Sequence, residues 1–63
     1  MALAAVVART SQNGMEYLVG ETGRPEWAIN ALAAARFQNL REATRAALRL
    51  PSALRAYALP AES

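Results

Sequence analysis

Apolar and polar positions change rhythm several times along this chain. Leu3 to Thr10 is almost continuously apolar, with Val6 and Val7 at its centre. Asn13-Gly14 interrupts it, and Met15-Glu16-Tyr17-Leu18-Val19 follows, rich in strand-forming residues. Asn and Gly both tolerate the positive φ that two-residue hairpin turns demand, so the pattern predicts an N-terminal β-hairpin turning at Asn13-Gly14. Alanine on both faces of the first run blurs the alternation that would fix its register. A helix over residues 2–9 is the competing reading, because alanine is the best helix former.

Gly20-Glu21-Thr22-Gly23-Arg24-Pro25 reads as a flexible loop, with two glycines and a proline close together. Beyond it, Glu26 to Phe37 admits two readings. Pro25 suits the first position of a helix carrying Trp27, Leu32 and Ala33-Ala34-Ala35. Alternatively, Trp27 and Ile29 alternate as a short third strand, and residues 30–35 turn towards Phe37. The next element is unambiguous. Asn39 is a good N-cap, Glu42 completes a capping-box pair, and Leu40, Ala43, Ala47 and Leu50 recur at helical spacing on an inward face. Pro51 stops that helix. Ala53 to Leu59 then alternates as a short strand, with Leu54, Ala56 and Ala58 on one side and Arg55, Tyr57 and Leu59 on the other. Pro60 ends it, leaving Ala61-Glu62-Ser63 as a frayed tail. The expected fold is therefore α+β, one small domain over residues 1–63. Its parts are the hairpin, one main capped helix at about 39–50 packed on a small antiparallel sheet, and a short C-terminal strand.

Composition narrows how such a fold is held. A chain of 63 residues is short for a domain. It hides only roughly 60% of the surface its unfolded form exposes. Its apolar fraction is 54%, yet alanine supplies about a quarter of the residues, and there is one Phe and one Trp. Large apolar side chains each contribute about 1.5–3 kcal/mol on burial and alanine far less, so the core is thin. Small scaffolds need a staple. With no Cys and no His, disulfides and the common zinc sites are excluded. A partner surface remains, and a homodimer is one form of it.

Met1 to Ala8 is apolar, but no cationic segment precedes it and Arg9 ends it. It reads as structure rather than a secretory signal, and it falls short of the about 20 residues a membrane helix requires. No membrane association is expected. The lack of Cys agrees with a reducing, cytoplasmic setting.

Catalysis finds little to work with. The chain has no His, Asp, Lys or Cys. Its Ser and Thr hydroxyls have nothing at hand to activate them. Glu16, Glu21 and Glu26 read as solvated surface carboxylates, and Gly20 and Gly23 lack the spacing of a phosphate loop. The expectation is a non-enzyme without catalytic, cofactor or metal residues.

The charges carry the sharper signal. All seven cations are Arg and all five anions are Glu, for a net charge of +2. GC-rich coding accounts for that bias as readily as function does. Arg41, Arg45 and Arg49 fall at i, i+4 and i+8 of the predicted helix, with Arg36 just before it and Arg55 on the last strand. Aligned guanidiniums suit phosphates or an acidic protein surface. The alternative is a solvated helix face, with Glu42 pairing Arg45. No aromatic residue interleaves the arginines, so stacking on single strands is not indicated. A helix-turn-helix, with residues 25–37 and 40–50 as its helices, would place them in a major groove, though it lacks a third helix. A ribbon-helix-helix dimer is disfavoured, since Met15 to Val19 is a poor base-reading ribbon. Tyr17, Leu18, Tyr57 and Leu59 exceed what one helix covers, so a sheet face bearing Tyr and Leu is a candidate interface, for a foreign protein or for a second copy.

Taken in order, the Tyr17-Leu18 strand, the lone Trp27, Ala35-Arg36-Phe37, the Asn39/Glu42-capped helix and a closing strand resemble the small β-β-α-β domains encoded by bacteriophages, prophages and plasmids of GC-rich bacteria. The resemblance spans about residues 15–59. It implies that Trp27 and Phe37 pack between sheet and helix, and it implies no reaction. Small phage proteins often cover a host protein's surface, inhibitors of CRISPR complexes among them. The expected function is therefore a protein-interaction module contacting a host complex through Arg41, Arg45, Arg49, Arg55 and Tyr17. A small dimeric nucleic-acid-binding regulator using the arginine face is the alternative.

Overall fold

The computed structural model describes residues 4–12, 14–20 and 23–61. Its elements are strands β1 (Ala5–Ser11), β2 (Gly14–Val19) and β3 (Glu26–Ala28), helix α1 (Leu40–Arg49) and strand β4 (Tyr57–Pro60). Short 3-10 turns at Ala31–Ala33 and Ser52–Leu54 flank the helix. The strands form one antiparallel sheet in the order β3-β2-β1-β4. The architecture is the expected α+β one, with the N-terminal hairpin, one capped helix and a closing strand.

The first apolar run is a strand from Ala5, not a helix, and its position explains its composition. β1 lies between β2 and β4, and Ala5, Val6, Val7 and Ala8 are all buried. A strand covered on both faces reads as a continuous apolar run. Ser11 pairs with Gly14, so Gly14 already belongs to β2. Asn13 itself is outside the described residues. Gly14 opens β2 at φ +103°, and its carbonyl accepts a hydrogen bond from the Ser11 hydroxyl at 3.0 Å.

Glu26 to Phe37 adopts the strand-and-turn alternative. Trp27 pairs with Leu18 across β3 and β2, and the Asn30 side chain accepts from the Leu32 N–H at 2.9 Å. Ala35 N–H then donates to the Leu18 carbonyl at 2.9 Å, and Phe37 exchanges both backbone hydrogen bonds with Ala5. Backbone groups that a helix would have used internally are spent on the sheet, which overrides alanine's helical preference. A helix-turn-helix is therefore not formed.

Helix α1 follows its sequence signals. Asn39 Oδ1 accepts from the Glu42 N–H at 2.9 Å, and Thr44 bonds back to the Leu40 carbonyl. Losing the cap should cost about 0.5–2 kcal/mol. For Asn39→Ala we expect a lower urea midpoint with an unchanged m-value. A midpoint equal to wild type would remove the cap from the account of this helix. The inward face is rotated from the expected one: Ala43, Ala46 and Leu50 are buried, whereas Leu40 is 47% exposed. Small residues at the contact let the helix lie close on β1 and β4.

The last strand begins at Tyr57, not Ala53. A 3-10 turn bonds Leu54 N–H to the Pro51 carbonyl, and Arg55 takes left-handed φ 54° before the strand starts. Nor does Ala61 fray: its N–H donates to the Ala4 carbonyl at 2.8 Å. The core comprises Ala5, Val7, Leu18, Ala43, Ala46 and Leu50, with Trp27, Phe37, Leu54, Ala56 and Ala58 packed against it. Trp27 and Phe37 are thus partly buried against the core. No helix among the described residues is long and apolar enough to cross a membrane.

Candidate functional site

Strand alternation sorts the predicted contact residues onto two surfaces. Ala5, Val7 and Arg9 of β1 share one face with Leu18 and Glu16 of β2, Trp27 of β3 and Ala58 of β4. This is the face that α1 covers. Val6, Ala8, Tyr17, Tyr57 and Leu59 point the other way. Of the four large residues expected to crowd an uncovered face, Leu18 is instead a core residue with no exposed surface. The other three do share that face, with Tyr57 and Tyr17 flanking Ala8 in one cross-strand row.

The first surface is the outside of α1. Arg41, Arg45 and Arg49 are all exposed, and none forms an ion pair among the described residues. The anticipated Glu42–Arg45 pair does not form. The ion pair that does form is Arg9 with Glu16: Arg9 Nε and Nη2 each lie 2.8 Å from Glu16 Oε1. The same guanidinium sits 4.7 Å from the centroid of Trp27. Arg9 is thereby satisfied and acts as a clasp over the half of the sheet beyond the helix. Sequence reasoning passed over this trio, although opposite charges facing each other across a hairpin were its signal. It also missed Leu48, which is 79% exposed and stands three residues after Arg45 on the outward face. Arg55 is exposed at the left-handed link before β4 rather than within the strand.

The second surface lies opposite the helix. Here the 3-10 turn at Ala31–Ala33 and Arg36 rise over the sheet, and a groove of about 260 Å³ opens between them and β1, β2 and β4. Its floor and walls are Val6, Tyr17, Leu59, Pro60 and Ala61, with Ala31, Leu32 and Arg36 on the far side. Tyr17 therefore does not join the helix arginines: the sheet lies between them. No set of three potential metal ligands comes together among the described residues. Comparison of the chain with protein families, curated proteins and solved structures finds no significant match.

Proposed function

We propose that this chain is a non-enzymatic interaction module that covers a surface on a larger host protein or nucleoprotein complex through the outward face of α1. The supporting observation is that Arg41, Arg45 and Arg49 are exposed and without acid partners among the described residues, around a leucine left 79% exposed. Unpaired guanidiniums keep their full donor capacity for carboxylates. Leu48 favours a protein partner, because an apolar side chain gains nothing against a phosphate backbone but is stabilised in a desolvated interface centre. Inhibition of a CRISPR-type complex by occlusion fits this mode, and the resemblance to small phage domains supports it.

Charge reversal tests the reading. In Arg41→Glu/Arg45→Glu/Arg49→Glu the positions are exposed, so circular dichroism should match wild type. Crosslinking capture from host lysate should lose its specific protein at least tenfold. Capture of the same protein, undiminished, overturns the proposal. Titration with duplex DNA at low salt examines the competing regulator, since phosphate neutralisation is strongest there. Tight, salt-sensitive binding that the same three substitutions abolish would replace the protein partner with nucleic acid.

A further inference from the structure

We propose that the groove opposite α1 is a separate binding site for the C-terminal residue of a peptide, an apolar side chain carrying its own free carboxylate. The inference does not rest on the helix face and survives or fails apart from it.

The groove is mainly apolar. Val6, Leu59 and Leu32 give it aliphatic walls, and Pro60 adds a ring with no N–H. Two residues with polar side chains line it, Arg36 and Tyr17, and neither side chain has a hydrogen-bond partner among the described residues. No carboxylate lines it among the described residues. An apolar hollow edged by a positive charge and a second polar side chain complements an anion on an apolar body.

Size selects among such ligands. About 260 Å³ is below the roughly 300–1,000 Å³ of sites that enclose drug-sized molecules, so a residue or two fits and a cofactor does not. Arg36 borders the apolar pocket directly, so charge and side chain must be offered within one residue's reach. A C-terminal Leu, Ile, Val or Phe does this. An internal acidic residue needs a separate neighbour for the hollow. The walls are also held in place: Ala35 N–H bonds to the Leu18 carbonyl and Phe37 bridges Ala5, which fixes the backbone on both sides of Arg36. A recognition residue on a tethered segment loses little freedom on binding.

The test is amide NMR of the labelled chain titrated with tripeptides ending in Leu, Val or Phe, each as the free acid and as the C-terminal amide. Free acids should shift Val6, Tyr17, Leu32 and Leu59. Amidation should weaken binding at least tenfold, and so should Arg36→Gln, an exposed change that leaves the dispersed spectrum intact. Equal binding of acid and amide, shifts confined to α1, or no shifts at millimolar peptide would each overturn the assignment. So would concentration-dependent shifts of the same residues without peptide, with light scattering reporting a dimer, because a second copy would then occupy the groove.

Discussion

Leu18→Ala is expected to leave much of the chain unfolded in buffer at room temperature. Leu18 has no exposed surface and is one of the two largest fully buried side chains among the described residues. Its carbonyl also anchors Ala35, so it sits where β2, β3 and the returning segment meet. Burying a leucine and then deleting most of it costs about 2–5 kcal/mol, the upper end applying where neighbours cannot close the void. At about 0.05–0.15 kcal/mol per residue, a chain of 63 residues holds only about 3–9 kcal/mol in total. The truncation therefore removes a large share of the stability. Urea denaturation followed by far-ultraviolet circular dichroism should show a midpoint near zero or a lost transition. Val19→Ala, half-buried on the opposite face, is the control and should cost far less. A Leu18→Ala loss below about 1 kcal/mol would place the core elsewhere.

Ala43→Leu should destabilise in the opposite way, by excess volume. Ala43 is fully buried at the contact of α1 with the sheet. The alanines at this contact set how close the helix lies, and a larger side chain forces it outward or drives neighbours off their preferred rotamers. Overpacking of this kind costs about 1–3 kcal/mol. The loss should come with altered amide shifts along β1 and β4, the strands beneath the helix. Ala53→Leu, at an exposed position, should be close to neutral. If Ala43→Leu raised the urea midpoint, there would be a cavity under the helix, and the close alanine contact would be wrong.

These two variants show how the thin core is distributed. Leu18 and Val7 are the largest fully buried side chains, and on the helix's side of the core Ala43 and Ala46 accompany Leu50. Such a core stabilises by close approach of backbones more than by side-chain volume. The Arg9–Glu16–Trp27 cluster extends it where the helix does not reach, through a cation over an aromatic face and a short ion pair. At partial exposure such contacts contribute on the order of 0.5–1 kcal/mol each, so they supplement burial and do not replace it.

Local chemistry by itself determined the hairpin, the helix and its caps, and the exposed run of Arg41, Arg45 and Arg49. Each depends on residues close in sequence: a glycine at positive φ, an Asn three residues before a bonded N–H, arginines four apart. The absence of His, Cys, Asp and Lys could be read in the same way, and it bounded the chemistry open to the chain before any fold was known. Tertiary structure decided what depends on distant partners. Residues 30–37 have a helical composition, yet they are extended and turned, because Leu18 and Ala5 claim their backbone groups. Leu40 was exchanged for Ala46 on the buried face, because the sheet sets the helix's rotation and periodicity alone leaves it free within a turn. Above all, the register of β1 against β2 and β4 put Tyr17 and the helix arginines on opposite sides of the sheet. The contact residues named from the sequence divide between two surfaces in the fold, since strand side chains alternate and a single-residue step decides which side each one faces.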